Sequence, residues 1–297
     1  GSEELHPGAV LSIGESEDIR KIDISWLSGG VSVQAVGQTS QITVQEDATA
    51  ELAEDEKLVC TVDGDTLCIR FMSDANRDGF EGEKFLTVSL PWELVKNAHF
   101  EEIDIETTNA YAYVSADAQK IKLSTVGGDA RVMGASCPAV EIETVSGNAG
   151  VVDGTWAKVD ISTVSGAIEL AGDADSAGIE TTSGKTDIAG ALGALEFASV
   201  SGNLILSSER ALRLDAKTTS GGIDLTLPES DGFTLTHETT SGALETDLTG
   251  REGTLIACGD HFTRYTVPAL DGGGTSELEI STVSGTLTID ASTFGSN

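Results

Sequence analysis

The chain has 297 residues with 34 Gly and 5 Pro, and its hydrophobic residues arrive mostly as single alternating Val, Ile and Leu, which is a β composition. Against 17 basic residues stand 49 acidic ones, a formal net charge of -32 that makes nucleic acid and anionic membranes poor partners and leaves cations, basic surfaces and neutral glycans. No apolar run of about 18 residues exists, so no segment reads as a membrane span.

In chain order, residues 1–18 read as a weakly ordered lead-in. Gly1-Ser2, without an initiator Met, looks like a cloning remnant, with a signal peptide or anchor removed ahead of it. Residues 19–105 form irregular N-terminal coils and a β cap. From Ile19 a first coil runs through Ser28-Gly29-Gly30 as its corner. The stretches QITVQ, KLVCTV, TLCIRFM and KFLTVSLP over 42–90 are longer strands joined by Asp-Gly turns. They predict an antiparallel cap over an otherwise open sheet edge.

Two features of this cap carry chemistry. Of the cysteines Cys60, Cys68, Cys137 and Cys258, none shows the C-x-x-C spacing of a structural zinc site. Cys60 and Cys68 flank Val62-Asp63-Gly64-Asp65-Thr66 and are expected to face each other across a three-residue loop, either as a cross-strand disulfide or as two half-buried thiols. Asp74-Ala75-Asn76-Arg77-Asp78-Gly79 matches the first half of a calcium loop, which makes Asp74, Asn76 and Asp78 candidate metal ligands. Phe85 stands where the loop's last Glu belongs, so Glu81 or Glu83 would have to substitute. The competing reading is an acidic hairpin loop.

From residue 106 to 297 a tetrapeptide T-[VT]-S-G recurs, at Thr144–Gly147, Thr163–Gly166, Thr181–Gly184, Thr218–Gly221, Thr239–Gly242 and Thr282–Gly285, with Thr125–Gly128, Ser199–Gly202 and Thr107–Ala110 as variants. From Gly128 the glycines are spaced by 19, 19, 18, 18, 19, 21 and 43 residues, the last step being about two coils with an insertion at 251–275. Apolar residues alternate on both sides of each corner, as at Val140/Ile142 before Gly147 and Leu204/Leu206 after Gly202, and the alternation changes phase at the glycine. Each coil is therefore strand, glycine corner, strand. The Thr and Ser of the tetrapeptide share the inward parity and are expected to stack as a hydroxyl ladder. A constant register favours parallel stacking over a meander of hairpins. The fold class is all-β, a single-stranded parallel β-helix of 18–21 residues per coil with a less regular N-terminal cap.

The repeated TVSG and TTSG steps, VSLP followed by FEEIDIETTN, and the closing LEISTVSGTLTID resemble the bacterial putative-adhesin family of cell-surface β-solenoids, a former domain of unknown function. The resemblance spans Ile19 to Asp290. It implies a β-helical fold and an extracytoplasmic, envelope-associated location, and it implies no established activity.

Outward positions supply the candidate surfaces. Acidic columns are expected four residues before the corner (Glu106, Glu143, Glu180, Glu238), six before it (Asp104, Glu141, Asp160, Glu196, Asp215, Glu279) and three after it (Glu169, Asp187, Asp224, Glu245). Like charges stacked on neighbouring strands repel, and salt, divalent cations or a basic partner would relieve the cost. Tyr111 and Tyr113 share outward parity and predict a small exposed aromatic patch for sugar stacking. His237 falls inward and reads as a packed core histidine, while His261 in the insertion, with Asp260 and Arg264, is the one cluster an active site could use. These features predict a non-catalytic structural or interaction module at the cell surface, without cofactor unless calcium, whose partner is a protein or glycan. The alternatives are an accessory protein of an envelope-stress response and a carbohydrate-active β-helix enzyme.

Overall fold

A computed structural model describes residues 5–73, 79–248 and 251–292, and among them the period-two segments form twenty-three strands, so the protein is all-β. The chain divides into two compact units, Gly1–Thr155 and Trp156–Asn297.

The first unit contains β1 (His6–Ser12), β2 (Lys21–Val36), β3 (Thr43–Ala48), β4 (Val59–Asp63), β5 (Thr66–Arg70), β6 (Lys84–Pro91), β7 (Glu102–Ser115), β8 (Lys120–Thr125), β9 (Ala130–Met133) and β10 (Ser136–Thr144). β2, β7, β8 and β10 run parallel, which stacks Ile22, Ile103, Ile121 and Val140 in one inward column and Ile24, Ile105, Leu123 and Ile142 in the next. Every one of these side chains is buried, and each contributes roughly 1.5–3 kcal/mol by leaving water. The other edge of β2 receives β5 and β6, also parallel, with Ile22 opposite Leu67 and Val33 opposite Val88. β5 and β6 therefore belong to the outer coil, and β2, the coil nearest the N-terminus, lies second.

Antiparallel strands cover that outer coil. β3 pairs with β6, β1 pairs with β3, and β4 pairs with β5. The expected antiparallel cap is thus mixed, since β5 and β6 are themselves a parallel coil. Residues 6–12 are a paired strand rather than a weakly ordered lead-in, with a bulge between Pro7 and Val10. A proline and a bulge on an edge strand hinder pairing with another chain.

The corners differ in detail from the sequence expectation. In Thr144-Val145-Ser146-Gly147 the Thr and Gly are buried, while Val145 and Ser146 are both exposed. The change of phase therefore falls between the second and third residues, before the glycine, and the serines point outward. Thr144 Oγ1 donates to the Gly147 carbonyl at 2.6 Å, and Thr107, Thr163, Ser199 and Thr218 close their corners in the same way at 2.6–2.8 Å. The threonine hydroxyls mostly clamp their own corner. Hydroxyl-to-hydroxyl contacts between coils join Thr163 to Thr181 at 3.0 Å and Thr239 to Thr282 at 2.9 Å, and the outward Ser146, Ser183, Ser201 and Ser241 donate to carbonyls of the adjacent coil at 3.3–3.5 Å. Glycine is required by proximity: a Cβ on Gly147, Gly202 or Gly221 would lie closer than 3.0 Å to the carbonyl of the preceding corner.

β11 (Ala149–Thr163) leads into the second unit, which contains β12 (Ile168–Thr181), β13 (Thr186–Gly190), β14 (Leu192–Ser199), β15 (Leu204–Ser208), β16 (Arg213–Thr218), β17 (Ile223–Pro228), β18 (Gly232–Thr239), β19 (Leu244–Asp247), β20 (Thr254–Gly259), β21 (Phe262–Val267), β22 (Thr275–Thr282) and β23 (Leu287–Ser292). β12, β14 and β16 stack parallel in sequence order, as do β13, β15 and β17. The next layer is not the next coil. β22 and β23 pair with β16 and β17 on one side and with β18 and β19 on the other. The C-terminal coil is thus slotted between residues 213–228 and 232–247, and the expected sequential step to Gly242 is replaced. The insertion forms the antiparallel hairpin β20–β21, and β21 covers the free edge of β18.

Candidate interaction surfaces

Slotting the C-terminal coil inward assembles a face that a sequential order would not. Glu196, Asp215 and Glu279 lie in consecutive register on β14, β16 and β22, followed by Thr236 on β18. One column nearer the corner stand Lys217, Ser281 and Glu238. These two columns flank a shallow cleft of about 290 Å³, with Ala216 and Ile280 beneath it. Across the edge, β21 sets Arg264 opposite Thr236. The cleft thus offers three carboxylates, one ammonium group and two hydroxyls, which suits polyhydroxylated or cationic ligands bound by hydrogen bonds and charge.

Elsewhere the acidic columns are broken by bases or by neutral residues such as Ser124 beside Glu106 and Ile205 beside Asp187. In the first unit Asp23, Asp104, Lys122 and Glu141 follow one another in register, and Arg70 reaches Asp23 at 3.3 Å and Lys120 reaches Glu141 at 3.7 Å. Partial burial pushes the Asp104 carboxyl above its ordinary range, with Asp23 and Glu102 adding to the rise and Lys122 opposing it. In the second unit Asp290 is raised by burial first and then by Asp224 and Asp247. The uninterrupted like-charge stacks expected from sequence are therefore short, two or three residues in register.

The tyrosines do not form an open platform. Tyr111 lies across Gly30 of the neighbouring strand, where a Cβ would collide with its ring, and it stacks on Tyr113 with centroids 4.4 Å apart. Phe85 closes the row at 6.3 Å. The ring faces are turned on one another and half-buried, and they cover a glycine's bare backbone, which is a structural use. Asp260 and His261 form the tip of the β20–β21 hairpin, and they and Arg264 are exposed. Asp74, Asn76 and Asp78 lie outside the described residues. Among the described residues no group of three or more His, Cys, Asp and Glu is placed to hold a metal ion.

Cys60 and Cys68 are free thiols. Asp63 pairs with Thr66, so the loop is two residues, Gly64-Asp65, with Gly64 at φ 61. That register sets Cys60 opposite Ile69 and Cys68 opposite Thr61, placing the thiols on opposite faces.

Sequence reasoning missed a buried ion pair beneath the first unit's cap. Lys84 Nζ meets Glu46 Oε2 at 2.8 Å with both side chains fully buried, and donates to the Glu56 and Phe71 carbonyls. The ammonium group sits 4.0 Å from the Phe71 ring and 5.2 Å from that of Trp26. Burial lowers the Lys84 pKa, opposed by Glu46. The signal was visible: Glu46 shares parity with Ile42 and Val44, and Lys84 with Leu86 and Val88, so both charges fall at inward positions.

The chain matches the model of the Toastrack DUF4097 family over residues 10–290. Its fold is similar to that of a "putative lipid binding protein" from Parabacteroides distasonis ATCC 8503, at 14% identity and TM-score 0.55, covering 97% of this chain and 98% of that one. It is also similar to a "putative adhesin" from Parabacteroides merdae ATCC 43184, at 13% identity and TM-score 0.53, covering 97% of each chain. Among the curated proteins none matches.

Proposed function

Taking as premise that the chain belongs to the Toastrack DUF4097 family, we propose that it is a non-catalytic interaction module working outside the cytoplasm, wound as a single-stranded parallel β-helix of 18–21 residues per coil. Its occupants are basic protein surfaces or glycans, and the face of β16, β22 and β18 is where they bind. The observation that carries this reading is the open cleft in which Asp215, Glu279 and Glu238 gather around Lys217. Carboxylates that adjoin in register repel, and a ligand bringing hydrogen-bond donors or positive charge relieves that repulsion. Because the cleft is shallow, affinity would rest on repeated weak contacts along neighbouring coils.

A glycan array and a panel of basic proteins, probed with the full chain and with Asp215→Asn/Glu238→Gln/Glu279→Gln, test this reading. Binding that falls with added salt and is lost in the triple variant is the expected result. Binding unchanged by the three substitutions would remove this face from the account.

A further inference from the structure

Thr275–Ser292 is held in the second unit as a layer that could leave as a piece. β22 and β23 touch the coil of residues 213–228 on one side and that of 232–247 on the other, through parallel ladders and the buried side chains Leu278, Ile280, Leu287 and Ile289. The one connection ahead of it is Pro268–Gly274, which ends in Gly272, Gly273 and Gly274, with Gly272 at φ 81. This connector is fixed by a few bonds to the 228–232 turn and by one arginine: Leu270 N–H donates to the Ser230 carbonyl, Gly232 N–H to the Gly274 carbonyl, and Gly274 N–H to Asp231 Oδ1, each at 2.9 Å, while Arg251 donates to the Pro268 carbonyl and to those of Glu229 and Asp231.

The slot also specifies what can fill it. Its corner needs a glycine, because a Cβ on Gly285 would lie closer than 3.0 Å to the Gly221 carbonyl, and a Cβ on Gly242 would lie as close to the carbonyl of Gly285. It needs a hydroxyl three residues before that glycine, where Thr282 meets Thr239 at 2.9 Å. It needs inward apolar residues to bridge Leu214 to Leu235 and Ile223 to Leu244. A coil of this same repeat meets all three demands, and a general peptide does not.

We propose that Thr275–Ser292 is an exchange element: in a second copy of the chain it fills the same slot, and the two copies trade these coils to form a reciprocal dimer. Every ladder and inward contact is kept in the exchanged form, and what changes is the path of Pro268–Gly274.

Asp215 and Glu279 are opposite each other on the outward face and report on who fills the slot. With the four native cysteines changed to Ser, one full-length copy carries Asp215→Cys and the other Glu279→Cys. The two are unfolded, mixed, refolded over a range of concentrations and oxidised. Exchange predicts a disulfide-linked dimer whose fraction rises with concentration and increases several-fold when Gly272 and Gly273 are deleted from both copies. A single chain carrying both substitutions should link internally and run as a monomer after dilute refolding. Internal linkage in that chain together with no intermolecular linkage in the mixture at any concentration would overturn the proposal. So would failure of the doubly substituted chain to link at all, since the coil would then not lie in the slot.

Discussion

Coils 168–228 stack in the order in which the chain makes them, each 18–19 residues after the last, whereas the coils nearest the termini are each displaced one place inward. In the first unit β2 lies beneath β5 and β6, and in the second β22 and β23 lie beneath β18 and β19. The gain is a second ladder. A terminal strand at a stack's edge pairs on one side and frays, while a slotted one pairs on both. The cost is loop closure: raising the separation across a ladder from 19 to 64 residues adds about 1 kcal/mol, which a few backbone hydrogen bonds at roughly 1 kcal/mol each offset. The outermost coil can then carry an antiparallel strand on its free edge, and both β1 and β20 end that arrangement with a bulge.

The two outer coils are anchored by different chemistry, and breaking that anchor gives the largest expected effect. Beneath the first unit's cap Lys84 and Glu46 neutralise one another with both side chains fully buried. Lys84→Met alone leaves a buried carboxylate without its partner and should lower stability by about 3–5 kcal/mol. Adding Glu46→Leu should restore most of it, because two apolar side chains then pack where the ions met. Urea midpoints for the single and double variants measure the difference, and a double variant no better than the single would show that the pair does more than cancel its own burial cost.

A smaller effect separates slotted corners from free glycines. Gly285→Ala drives a Cβ into the Gly221 carbonyl and should cost about 1–3 kcal/mol, since a close-packed stack yields little. At Gly14 a Cβ would meet nothing within 4 Å, and Gly14→Ala should change stability by less than about 0.5 kcal/mol. Thr218→Val keeps the shape of its corner but removes the 2.7 Å hydrogen bond to the Gly221 carbonyl, for a loss of about 1 kcal/mol. Thermal unfolding of the three variants ranks them, and Thr218→Val as harmful as Gly285→Ala would place the hydroxyl, rather than steric closeness, in control of the corner.

The regular coils were legible in the sequence because their causes are local. Period-two alternation defines the inward columns, and glycine marks each close approach. Stacking order was not legible, because Thr282–Gly285 carries the same corner and columns as its neighbours and fits any slot of the repeat. In the fold the hairpin Thr254–Val267 occupies the edge of β18 that a sequential order would give to Thr275–Ser292, and the sequence marks that hairpin only as an insertion at 251–275. The cysteine geometry failed for a related reason: one residue of difference in the Asp63–Thr66 turn sends the two thiols to opposite faces. The assembled cleft inherits this difficulty, since Asp215, Glu279 and Glu238 come together only through the slotted order.

His237 offers the finest test of the contrast between the two outer coils. It lies inward on β18 in the second unit's outer coil, buried at 2% exposure, with no hydrogen-bond partner at Nε2. Its register neighbours are Ile280 on β22 and Thr263 on β21, while the charged Glu238, Glu279 and Arg264 of these strands occupy the outward face. Burial lowers its pKa. The unfolded chain, with an ordinary value of about 6.5, therefore binds the proton more readily than the folded one. Stability should be level above that value and fall as the pH drops below it toward the lower folded value. Asp104 and Asp290, whose folded pKa values are raised, work in the opposite sense at lower pH, so the informative quantity is a difference. Between pH 7.5 and pH 5 the urea midpoint of the native chain should fall further than that of His237→Leu. If the two midpoints move in parallel, the histidine's burial has no energetic consequence and the second outer coil is held by apolar packing alone.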